Sequence, residues 1–172
     1  MINIFFYMAI ALASFSGHAS PRFAHIDDLD LKIAESSTSG VITVEMNNSS
    51  AKPLRIWDES NSWGAARWRV VVIRNGITQS FFENPDQDFL RNVPTFEEVV
   101  HGKPKTHKLD LNDGNWCGLG YCTSYGQRRL TAEQIRLQSG DTIIVSYDVP
   151  FAPESLRLGV WYGVALVSKT IR

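Results

Sequence analysis

The chain has 172 residues, 44% hydrophobic and 20% charged, which is the make-up of one globular domain with a sizeable core and excludes a disordered or fibrous polymer. Seventeen basic side chains stand against eighteen acidic ones, a net charge of -1. No global field therefore draws the protein to nucleic acid or to an anionic membrane surface.

The chain opens "MINIFFYMAIALASFSGHAS". Its apolar run, residues 4–15, falls short of the roughly 20 residues that a helix needs to cross a hydrocarbon core. Small residues stand at cleavage-compatible positions, Ala11 with Ala13 or Gly17 with Ala19, and Pro21 follows. Residues 1–19 therefore read as a signal peptide, cut after Ala19 or alternatively after Ala13, although its first residues lack the usual Lys or Arg. The expected location is secreted or periplasmic, with no stable membrane span after processing. Residues 20–40 read as an N-terminal arm ending in the Ser-rich "ESSTSG", and 41–172 as a single domain.

Within that domain, β-rich segments recur between Gly, Pro, Asn and Ser punctuation. They are expected as strands at 41–46, 54–57, 67–74, 77–82, 106–111, 142–149 and 160–168. Asn75-Gly76 lies between two of them, and this dipeptide takes the positive φ values of a type I′ turn, so "RWRVVVIRNGITQSFF" reads as a hairpin. Val70 to Ile73 is apolar on both parities, which places the first strand of the hairpin in the middle of a sheet, covered on both sides over part of its length. The one helix expected is a turn or two over 131–139, where Thr131 can cap and Gln134 can reach back. Such spacing is the rhythm of an all-β, antiparallel β-sandwich with at most one short helix.

The strand spacing, "HKLDLNDGNW" and the closing "GVWYGVALVS" together resemble exported bacterial immunoglobulin-like domains, over residues 41–172. The resemblance implies an immunoglobulin-like sandwich and carries no functional residue with it. It departs from antibody-type domains, because Cys117 and Cys122 lie too close in sequence to bridge two sheets. After export these two cysteines are expected to form a disulfide that shapes one loop, with Gly118 and Gly120 supplying backbone freedom.

No motif of nucleophilic catalysis is present, and no G-x-S-x-G or H-E-x-x-H context surrounds His25, His101 or His107. These histidines read as exposed loop and strand-end residues, with a metal pair His101–His107 as the rival reading. The adjacent acids Asp27-Asp28, Asp58-Glu59 and Glu97-Glu98 face opposite ways on a strand and read as solvated faces or caps. "DESNSWG" lacks the ligand pattern of a calcium loop. No catalytic residue, metal or cofactor is expected.

The aromatic inventory points instead to binding. Trp68 and Trp161 sit in strong strand patterns and are expected in the core. "WDESNSWG" places Trp57 at the end of a strand, closing the core, and leaves Trp63 two readings, a ring folded back as an anchor or one presented outward over the polar segment. The candidate ligand-binding residues are Trp57, Asp58, Glu59, Asn61, Trp63, Trp116, Tyr121 and Tyr125. The expected role is a non-catalytic exported domain that recognises a protein partner, of inhibitor or immunity type. The alternative is a carbohydrate or cell-wall binding module, whose rings would stack on sugars.

Overall fold

The computed structural model describes residues 26–83, 93–113, 116–118 and 135–172. The expected signal peptide, His25, Tyr121, Cys122, Tyr125 and the N-terminal half of the expected helix lie outside the described residues. Ten strands are described: β1 (Leu29–Ser36), β2 (Val41–Asn48), β3 (Leu54–Trp57), β4 (Trp68–Arg74), β5 (Ile77–Glu83), β6 (Phe96–Val99), β7 (Lys105–Asp110), β8 (Trp116–Gly118), β9 (Thr142–Val149) and β10 (Gly163–Thr170). The fold is thus mostly β, and every strand pairing within its sheets is antiparallel.

Strict alternation decides which face each strand buries. In β2, Ile42, Val44 and Met46 point into the core, and in β9, Ile143, Val145 and Tyr147 do the same. Sheets of order β1-β2-β7 and β10-β9-β4-β5-β8, with a small β3-β6 pair, contribute their apolar faces to one hydrophobic cluster. Trp57, Trp68, Trp116 and Trp161 are among the largest fully buried side chains. Strand β4 is central, between β9 and β5, but Val71 and Ile73 on its outer side are only half-buried. The outer face of this sheet is therefore partly covered, and the apolar run reflects a central position more than enclosure on both sides.

Three differences from the sequence reading stand out. Strand β1 occupies much of the segment read as an arm and pairs with β2 along its length. Short β6 and β8 extend the sheets where no strand was expected. The α-helix of the described residues, α1 (Pro153–Leu158), lies between β9 and β10. Residues 136–140, where the expected helix would end, are not helical and lead through a turn at 139–140 into β9. Proline at the start of α1 suits its first turn, where the missing N–H has no partner to lose.

No helix among the described residues is long and apolar enough to cross a membrane.

Candidate functional site

Loop 58–67, between β3 and β4, owes its shape to its own side chains. The Asn61 amide donates to Thr95 Oγ1 at 2.7 Å and to Thr95 O at 3.3 Å, tying the loop to the approach to β6. Its oxygen accepts from the backbone N–H groups of Trp63 at 2.9 Å and Gly64 at 3.1 Å. Asn61 is 5% exposed, so this hub is buried and almost fully satisfied. Asp58 Oδ1 accepts from the Ser60 N–H at 2.8 Å, and this backbone bond is the main reason its carboxyl titrates below the ordinary range.

Glu59 fastens the loop to both large sheets. One carboxylate oxygen accepts from the Trp68 indole Nε1–H of β4 at 2.8 Å, and the other meets His107 Nδ1 of β7 at 3.1 Å. The imidazole in turn stacks on the Trp68 ring, with centroids 4.6 Å apart and planes 14° from parallel. Burial opposes ionisation of Glu59, but hydrogen bonding and charge from His107, with the Trp68 bond, hold its pKa below the ordinary value.

Glu83 supplies a second inward carboxyl. Arg69 pairs with Phe82, which carries Glu83 to the place opposite Trp68, and Trp68 pairs with Tyr147 while Glu83 pairs with Trp116. Tyr147, Trp68, Glu83 and Trp116 thus form one row across four strands, on the parity of buried Phe81. Among the described residues Glu83 has no hydrogen-bond or ion-pair partner, and burial first, then the charge of Glu59, pushes its pKa up. The Tyr147 hydroxyl in the same row is buried without a partner, and desolvation raises its pKa well above the phenolic value. Lys105, two positions before His107 on β7, pairs with Glu97 of β6 beside the same cluster.

The candidate residues separate accordingly. Asp58, Glu59, Asn61 and Trp63 come together in loop 58–67. Trp57 and Trp116 are 1% and 2% exposed, so neither can offer a ring face to a ligand: both are core residues. Trp63 does not stand outward. It packs half-buried against Trp57, with centroids 5.2 Å apart, and its Nε1–H is buried without a partner. Of the pair Asp58-Glu59, Asp58 caps the Ser60 N–H, the second of the two expected readings, while Glu59 departs from both and meets Trp68 and His107. His107 is likewise an interior partner, while His101 stays exposed with Nδ1 3.1 Å from Asn48 O. Cys117 is buried on β8, and no free cysteine occurs among the described residues.

No protein family, curated protein or solved structure matches the chain. What the site can do therefore has to be judged from its own groups. No cluster of three or more His, Cys, Asp or Glu side chains able to hold a metal occurs among the described residues. The sequence reading missed His107, Glu83 and Tyr147 as members of this cluster. A usable signal was present, because His107 shares the parity of buried Leu109, and Glu83 that of buried Phe81.

Proposed function

We propose that the chain is an exported, non-catalytic binding domain, an immunoglobulin-like sandwich that recognises a protein partner through the end carrying loop 58–67. One observation supports this above the rest: the Asn61 hub and the Glu59 bridge order the loop before any partner arrives. A loop already held in its binding shape loses little conformational entropy on association, which is how rigid recognition loops gain affinity. Packing alone does not call for an inward carboxylate and imidazole at this place, where burial of polar groups costs free energy. In this reading the recognition surface is the polar rim of the loop, Asp58, Ser60 and Ser62, with the half-buried edge of Trp63. The expected Cys117–Cys122 disulfide, Tyr121 and Tyr125 stay in this reading as further candidates; of these only Cys117, on β8, lies among the described residues. Glycan stacking is less favoured, because Trp57 and Trp116 are enclosed.

The test is site-directed photo-crosslinking in cells that export the full chain, with the probe at exposed Ser60 and a control at exposed Ser39 in the β1–β2 turn. A discrete protein adduct from position 60 and none from position 39 is expected. No adduct from position 60, or the same adducts from both, would overturn the proposal.

A further inference from the structure

We propose that Glu83 and Glu59 form a proton-operated latch on loop 58–67, in which a proton on Glu83 tightens the loop against the sheets and a second proton, on Glu59, releases it. That this loop is the recognition element rests on the reading above; the latch itself belongs to the free chain.

The geometry assigns the two carboxyls opposite parts. Glu59 ties the loop to β4 and β7 through the 2.8 Å indole bond and the 3.1 Å imidazole contact, both of which are strongest when the carboxyl is ionised and accepts with charge assistance. Glu83 comes from the sheet, not from the loop; the β4–β5 register carries it to the place opposite Trp68, and it has no bonding partner among the described residues. When Glu83 is ionised, its charge and that of Glu59 repel each other and weaken the bridge. When Glu83 is neutral, that repulsion is gone while the Glu59 bonds remain. Further acid protonates Glu59 itself, and the bridge loses its charge-assisted bonds.

The other charged groups around the pair leave this order intact. Asp58 on the loop is engaged with Ser60 and Thr95, and Glu97 of β6 with Lys105 of β7. His107 and Lys105 favour the ionised form of Glu59; at Glu83 His107 likewise favours ionisation, but burial and the charge of Glu59 outweigh it and Asp113 adds to the repulsion. Arg67 is held by its Nε–H on Trp63 O at 2.8 Å, and the Tyr147 phenol stays neutral throughout.

The Trp68 indole N–H reports the latch directly. Its hydrogen exchange would be followed by NMR on the full chain labelled at tryptophan, from about pH 7.5 down to about pH 3, with rates normalised to free indole. Protection is expected to rise at least about threefold as the pH falls from neutral and Glu83 takes up its proton, then to collapse in stronger acid as Glu59 does. Glu83→Gln should show the high protection already at neutral pH, and Glu59→Gln should lose the acid collapse. Glu97→Gln, at the rim, should keep the wild-type profile. A flat wild-type profile, or a rise that survives in Glu83→Gln, would overturn the latch. Because no partner takes part, such a failure leaves the recognition reading standing, and a failed crosslink leaves the latch standing.

Discussion

Tryptophans that look alike in the sequence do different work, and the difference is measurable. Trp68 is wholly buried, donates its indole N–H to Glu59 and supports the His107 ring. Trp68→Ala should therefore cost about 4 kcal/mol or more, since it opens a cavity and also leaves an inward carboxylate without its donor. Trp63 is half-buried on Trp57 with an unpartnered Nε1–H, so Trp63→Ala should cost about 2 kcal/mol, and Trp63→Phe distinctly less because it removes the orphan donor. Chemical denaturation of the three variants gives the order; equal losses for the two alanine variants would make Trp63 a full core anchor. Glu83 makes a prediction in pH. Its folded pKa is raised above the ordinary 4.5, so its protonation contributes stability that is fully present below that value and is lost as pH rises through the folded pKa. Glu59 has a lowered folded pKa, so its contribution is present above the ordinary value and lost as pH falls through the folded one. Glu83→Gln should thus raise the melting temperature near neutral pH and leave it nearly unchanged at about pH 4. A neutral-pH melting temperature at or below that of wild type would contradict this.

At the scale of elements, two glycines show what the turns demand. Asn75 and Gly76 have φ of 50° and 76°, the paired positive values of a type I′ turn, and the hairpin expected from Asn-Gly is present. Nothing crowds a Cβ at Gly76, so Gly76→Val should cost on the order of 1–2 kcal/mol through backbone strain alone. Gly76→Asn, which tolerates that φ, should cost less, and equal midpoints for the two variants would place the strain elsewhere. Gly64 is governed by space: a Cβ there would lie 2.2 Å from Asp58 O, backbone that cannot swing away. Gly64→Ala should therefore break the Asn61 hub while β9 and β4 stay folded, seen as loss of loop signals in an otherwise preserved NMR spectrum. Strands were legible wherever alternation ran between clear turn residues, and β3 and β9 match their expected limits at both ends. Strand β1 was not read as one, although Leu29 and Leu31 alternate with charged residues, because it was grouped with the arm expected before the Ser-rich "ESSTSG". β6 is only "FEEV" and β8 only "WCG", too short for periodicity to declare.

At the scale of the molecule, the antiparallel sheets bury Trp57, Trp68, Trp116 and Trp161 and so move the site inward from where loop composition placed it. A polar loop flanked by tryptophans reads as exposed rings from sequence, since nothing local records that Trp57 and Trp63 meet each other. The link between Glu59 and His107 was equally out of reach, because it needs the β3–β4 loop folded across β7, a contact set by the packing of two sheets and not by any spacing along the chain. What alternation did show was which residues of β7 and β5 face inward. At the Arg74 end of β4, the guanidinium bonds both oxygens of buried Asp141 and Arg136 O, closing that side with satisfied charges. The Trp68 end of the same strand keeps the Tyr147 hydroxyl, and Glu83, without a partner among the described residues, and it is there that the molecule departs from a purely structural solution. The account depends above all on loop 58–67 being ordered in the free protein. Amide hydrogen exchange of Trp63 and Gly64, both bonded to Asn61, measures this directly on the isolated full chain. Exchange slowed by about a hundredfold or more relative to an unstructured peptide is the predicted result, and exchange at the unprotected rate would contradict it.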